Sequence, residues 1–138
     1  MTTTTQDRIK AFLDTKGPYA VVGASDNRAK YGNKVLRCYQ QHGLEVIPIN
    51  PKLPEIEGLK AYPSLKDLPK AVAGISVITP PAVTETVVRE AIEAGVKRIW
   101  MQPGAESPAA VAAAEAAGLE VIADGSCLLV ALGFHEAH

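Results

Sequence analysis

A short apolar run, Tyr19-Ala20-Val21-Val22, stops at Gly23-Ala24-Ser25, and a helical pattern begins near Lys30. Glycine at such a stop lets backbone turn tightly or come close to an anion. The Ser25 hydroxyl can donate to a phosphate oxygen. The backbone N–H groups of Ala24, Ser25, Asp26, Asn27 and Arg28 can line an anion-binding concavity, reinforced by the positive end of the following helix. The spacing is not G-x-G-x-x-G, because the glycine after Gly23 is Gly32, and G-x-x-x-x-G-K-[ST] is absent too. A strand-to-helix turn with no ligand also uses a glycine and a capping serine, so the loop needs company to be informative. Arg28, Lys30 and Lys34 stand beside it as cations for a pyrophosphate, and Tyr31 either covers a ligand or packs on a sheet.

A second run, Ile47-Pro48-Ile49-Asn50-Pro51-Lys52, supplies that company. Dinucleotide-binding units place an acid at the end of their second strand, where it takes a ribose diol. Here Lys52 follows Asn50 and Pro51, and a lysine suits another phosphate. Asn50 can hydrogen-bond ribose or adenine. The pair points to a nucleotide with extra phosphate and argues against plain NAD. Thr79-Pro80-Pro81 adds a rigid, donor-poor rim, since proline has no N–H. Such a lip suits an uncharged, partly apolar ligand arm. Trp100-Met101-Gln102-Pro103-Gly104-Ala105 falls on the same expected edge, where Gln102 can both donate to and accept from an amide-bearing arm.

Catalytic constellations are not expected. His42 ends a helix, and His135 and His138 lie in the tail. No Ser-His-Asp order or H-E-x-x-H occurs. Glu106 and Asp124 are the carboxylates near the expected ligand edge, and nothing in the sequence pairs them. Cys38 reads as a small buried hydrophobe. Cys127, after Asp124-Gly125-Ser126, is a thiol that can face the site. Two cysteines make neither a disulfide framework nor a metal site.

These residues need elements to hold them. The sequence predicts a helix over Asp7–Lys16, a buried strand over Tyr19–Val22, a helix over Tyr31–His42 and a strand over Leu44–Ile49. A loop covers Pro51–Pro63. Ser64-Leu65-Lys66-Asp67 has the form of a capping box opening a short helical turn. Gly74–Thr79 is the third strand, and Pro80-Pro81 opens a helix running to about Ala94. Lys97–Met101 is the fourth strand. Ser107-Pro108 starts a helix ending near Ala117. Leu119–Ala123 is the fifth strand, and Leu128–Phe134 is a final helix or an extended edge. Strands alternating with helices predict an α/β, Rossmann-like three-layer fold: a five-stranded parallel sheet in the order 3-2-1-4-5 with helices on both faces. Ligands bind such sheets at the carboxyl ends of the strands.

A chain of 138 residues suits one domain, residues 1–138, with its own core. A net charge of −1 offers no basic surface for nucleic acid, and 5% aromatic residues are too few for base-stacking platforms. No apolar run reaches membrane-spanning length. The first residues lack the pattern of a signal peptide, so the expected location is cytoplasmic.

Taken in order, Val21-Val22-Gly23-Ala24-Ser25, Tyr31-Gly32, Ile49-Asn50-Pro51-Lys52, Thr79-Pro80-Pro81 and Trp100 to Ala105 resemble the small stand-alone CoA-binding proteins. Their domain is similar to the N-terminal CoA-binding domain of the succinyl-CoA synthetase alpha subunit, and the likeness runs from about Tyr19 to Leu129. The resemblance implies a Rossmann-like fold with CoA or acyl-CoA as ligand. It implies Ser25 to Arg28 as phosphate loop and Lys52 at the adenosine end. Thr79, Pro80 and Pro81 would lie along pantetheine, and Met101, Gln102 and Pro103 near the thiol. The synthetase also has a domain with a phosphorylated histidine, for which these 138 residues are too short. The expected function is therefore CoA or acyl-CoA binding without catalysis by the chain alone. Its rivals are an NAD(P)-binding redox sensor, a subunit whose partner chain supplies ligase-type catalysis, and a thiol enzyme built on Cys127.

Overall fold

The structure, a computed structural model, describes residues 4–135. Helix α1 (Thr5–Asp14) opens with a capping box: the Thr4 hydroxyl accepts the Asp7 N–H, and the Asp7 carboxylate accepts the Thr4 N–H. The earlier threonines and His138 lie outside the described residues. Strand β1 (Tyr19–Val22) is buried throughout, and helix α2 (Tyr31–Gln41) follows the loop. Strand β2 is Val46–Ile49. The segment expected to be loop contains a small antiparallel hairpin, β3 (Glu55–Ile56) and β4 (Leu59–Lys60). Strand β5 (Gly74–Val77), helix α3 (Pro81–Glu93), strand β6 (Arg98–Met101), helix α4 (Pro108–Ala116) and strand β7 (Glu120–Ile122) complete the alternation.

Ser107 caps α4 as expected, accepting the Ala110 N–H. One local expectation needs correction. Ser64 gives its hydroxyl to the Asp67 carboxylate and caps no backbone, because Leu65–Asp67 is a single 3₁₀ turn. Of the two readings of the terminal segment, the helix holds: Leu129–Gly133 is one π-helical turn.

The main sheet of the described residues is five-stranded and parallel, in the order β2-β1-β5-β6-β7. The fold class is the one expected, with one reassignment. The pattern 3-2-1-4-5 placed Gly74–Thr79 outside the second strand. Instead β5 pairs with β1, in register from Tyr19 opposite Gly74 to Val22 opposite Val77. The place outside β2 goes to a single parallel bridge at Tyr62. There Tyr62 N–H donates to Pro48 O and Asn50 N–H to Tyr62 O. Pro48 turns its donorless nitrogen to that flank, where a full ladder would need an N–H.

Side chains alternate across the sheet. Tyr19, Val21 and Trp100 face α1 and α2, whereas Ala20, Val22, Ile99 and Met101 face α3 and α4. Phe12 stacks on Tyr19 and meets Trp100 edge-on, at centroid distances of 5.2 and 5.4 Å. A Cβ on Gly74 would stand 2.7 Å from the Phe12 ring, so that strand position must stay bare. At the β7 edge, Arg8 of α1 donates to Val121 O at 2.9 Å. No helix among the described residues is long and apolar enough to cross a membrane.

Candidate functional site

The order of the strands reverses at β1, so the crevice of this sheet lies between the loops after β1 and β5. Two glycines shape it. Gly23 has φ +94°, and a Cβ there would lie 2.0 Å from Ile78 O. A Cβ on Gly32 would lie 2.1 Å from Gly23 O. The loop is thus pressed against the end of β5, and the first turn of α2 is pressed onto the loop. These glycines serve contacts between elements, as the third glycine of a dinucleotide fingerprint does.

Within the loop, Ser25 Oγ accepts the Asn27 N–H and Asn27 Oδ1 accepts the Ala29 N–H, both at 3.0 Å. A hydroxyl that accepts still has its proton to donate. Asn50, from the end of β2, donates to Ala24 O at 2.9 Å and accepts the Lys52 and Leu53 N–H groups. The side chain expected to meet a ribose therefore ties the loops after β1 and β2 together. Lys30 occupies the N-cap position of α2 without a side-chain capping bond.

Two adjoining hollows line this edge. One, of about 400 Å³, is bounded by Gly23, Ala24, Ser25, Lys30, Gly32 and Asn50. The other, of about 330 Å³, is bounded by Thr79, Pro80, Pro103, Gly104 and Ala105. Tyr31 and Ile78 belong to both. The first has backbone amides and a lysine, and the second has no charged side chain. A concavity of about 490 Å³, beside Val72 and Val96, lies at the opposite, amino ends of β5 and β6. Its position in the sheet sets it apart from the crevice.

The other expected site residues are more dispersed. Asp26, Asn27 and Arg28 lie on the exposed rim, as do Pro51 and Lys52. Pro81 is the first residue of α3, and the Thr79 hydroxyl meets that of Thr84 at 2.7 Å. Met101 is a core residue beside Ile99. Gln102 shares the parity of Trp100, so its side chain runs under the start of α2 and is fully buried. Its Oε1 accepts the Leu128 N–H and the Tyr31 O–H, each at 2.9 Å, and its Nε2 has no partner among the described residues.

Tyr31 Oη also lies 2.7 Å from Cys127 Sγ. The single phenolic proton goes to Gln102, so the Cys127 thiol must be the donor to Tyr31. Burial, then the Cys127 contact, pushes the Tyr31 phenol above its ordinary range. Burial likewise raises Cys38 to about 11, in keeping with an inert core cysteine. Glu106 accepts the Gly104 N–H, and Asp124 accepts from the Thr5 hydroxyl and the Ser126 N–H. Those bonds, Thr5 first, hold Asp124 below the usual carboxylate range. The two carboxylates are engaged separately, and His42 bonds Gly133 O away from the crevice. No cluster able to hold a metal occurs among the described residues.

A network behind the loop was not visible in the spacing. Arg37, though on a helix, is buried and donates to Asn33 Oδ1 at 2.6 Å and to Arg28 O at 3.1 Å. Asn33 Nδ2 donates to Ser25 O and to Glu57. Glu57 takes the Arg28 guanidinium at 2.9 and 3.2 Å. The one trace in the sequence is the spacing of Asn33 and Arg37, four apart and so neighbours on one face of α2.

A family model described as CoA binding domain matches residues 18–132. The uncharacterized protein YneT of Bacillus subtilis is 32% identical over 123 residues, covering 89% of this chain and 90% of that protein. The alpha subunit of an ADP-forming acetate–CoA ligase II from Pyrococcus furiosus is 33% identical over 89 residues. That match covers 64% of this chain but 19% of the ligase subunit. A solved structure of a conserved hypothetical protein from Pyrococcus furiosus superposes with a TM-score of 0.78 at 49% identity, covering 82% of this chain and 97% of that one. With its crevice formed at the carboxyl ends of β1 and β5 and nearly its whole length matched, the chain belongs to the CoA-binding domain family.

Proposed function

We propose that the chain binds CoA or an acyl-CoA along the crevice and catalyses no reaction alone. The observation that carries this reading is the pairing of the two hollows: an amide-lined, lysine-bearing one meets an uncharged one at Tyr31. CoA has that polarity, with pyrophosphate and a 3′-phosphate at one end and a long amide arm at the other. In this reading Gly23, Ala24 and Ser25, with Asp26, Asn27 and Arg28 on the rim, hold pyrophosphate. Asn50, Pro51 and Lys52 meet the adenosine end, with Lys52 on the 3′-phosphate. Thr79, Pro80, Pro81 and Pro103 flank the arm. Gln102, buried beneath the start of α2, and Met101, in the core, support that wall from behind. The test is calorimetry on ligand-free protein with CoA, dephospho-CoA, NADPH and NAD. Selective micromolar CoA binding is expected; equal or tighter NADPH binding, or no binding at all, overturns the reading.

A second reading is favoured by the ligase match, which aligns this chain with a small part of a larger subunit. In it a partner chain supplies catalysis to CoA held here. It predicts a stable complex recovered from extract with acyl-CoA-forming activity that neither component has alone.

A further inference from the structure

We propose that Glu57, at the tip of the β3–β4 hairpin, is a positioning residue that sets the shape of the phosphate loop. The inference rests on the reading of that loop as an anion site. Glu57 has φ +50°, and Gly58 beside it has φ +77°. Two-residue hairpin turns with both φ values positive favour Asn, Asp and Gly. Glutamate there is a backbone outlier held in place by its surroundings, and such outliers gather at functional sites.

What holds it is the loop. The Glu57 carboxylate accepts Arg28 Nε–H at 3.2 Å and Nη2–H at 2.9 Å, and Asn33 Nδ2–H at 2.9 Å. From the other side, Gln40 Nε2 donates to Glu57 O at 3.2 Å. The Glu57 side chain is 15% exposed, whereas that of Arg28 is 59% exposed, so the acid is the anchor and the arginine reaches to it. Asn33 is thereby fixed at both ends of its amide, by Glu57 and by Arg37. Its other N–H is left for Ser25 O at 2.8 Å. A planar trans peptide with its carbonyl pulled toward Asn33 turns the next N–H, that of Asp26, to the opposite side. Arg37 grips Arg28 O in the same way at the far end of the loop. Glu57 therefore fixes how the donors of Ser25 to Arg28 are presented without touching the ligand itself.

The test compares wild type with Glu57→Asn, a residue the turn accepts, and with Arg28→Ala and the double variant. CoA affinity is read by calorimetry and folding by thermal melting. Glu57→Asn should keep its cooperative melt and lose about tenfold in CoA affinity, a loss within the range of coupled neighbours. In the Arg28→Ala background the same change should cost clearly less. Glu57→Gln, which can still accept from Asn33, should recover part of the loss. Unchanged CoA affinity in a folded Glu57→Asn protein, or full additivity with Arg28→Ala, would overturn the positioning role while leaving the binding reading intact. A wild type that does not titrate with CoA would overturn both.

Discussion

Charge placement at single residues makes two expectations quantitative. Lys52 is exposed, and its backbone is pinned by Asn50 Oδ1 at 2.8 Å, so substituting its side chain leaves the turn in place. If Lys52 takes the 3′-phosphate, Lys52→Ala should weaken CoA by roughly tenfold and leave dephospho-CoA nearly unchanged, as a charge-assisted bond to phosphate is worth about 1.5–3 kcal/mol. Equal losses for both ligands would remove that assignment. Glu57 makes stability depend on pH. Its bonds to Arg28, first, and Asn33 hold it below the ordinary carboxylate value of 4.5. A carboxyl with a lowered native pKa binds a proton more readily in the unfolded chain, so its contribution to stability is complete above about 4.5 and is lost as pH falls through the lower native value. Asp124 acts with the same sign. Denaturant midpoints measured between pH 6 and 3 should fall on acidification, and less steeply for Glu57→Gln than for wild type.

Among the elements, the contact of loop, strand end and helix start is the least tolerant. A methyl group on Gly32 would have to displace Gly23 O, which is backbone and has no rotamer to give. Gly32→Ala should cost about 2–3 kcal/mol, as overpacking of a rigid contact does. It should also weaken CoA, since any relief moves the loop that forms the hollow. A variant with wild-type melting and affinity would show that α2 can pull back freely. The sequence was most legible where periodicity and punctuation agreed: each predicted strand and helix from Tyr19 to Ile122 lies within two residues of its observed bounds. Its limits have physical causes. The β3–β4 hairpin has strands of two residues, too short to show alternation. The neighbour of β2 depended on which side of the strand Pro48 turned its missing donor to, and strand composition does not carry that. In the site, Gly23, Ala24, Ser25 and Asn50 border one hollow, because the topology places them at strand ends. Met101 and Gln102 were drawn toward the ligand edge by position along the chain, although alternation from Trp100 already sends one into the core and the other beneath α2. The Glu57–Arg28–Asn33–Arg37 network joins residues through space, and spacing alone gave no sign of it.

For the molecule as a whole, a ligand lying across the loops after β1, β2, β5 and β6 would couple both halves of the sheet. CoA at a hundredfold its Kd should add roughly 2.7 kcal/mol to stability. For a chain this size that is a rise of about 10 °C in melting temperature. A rise of one or two degrees at saturation would mean that the unfolded chain binds as well, or that the calorimetric signal comes from a surface site. The two flanks of the sheet carry a different consequence, for self-association. On one side Pro48 presents a flank without its donor, already engaged by Tyr62, and on the other Arg8 occupies the Val121 carbonyl. A second copy approaching edge to edge would find neither flank open to a continuous ladder. Joining of sheets into a larger sheet or a fibre is thereby discouraged at both ends, and any pairing of copies is directed to the helical faces, where α3 leaves Val83 and Ile92 partly uncovered.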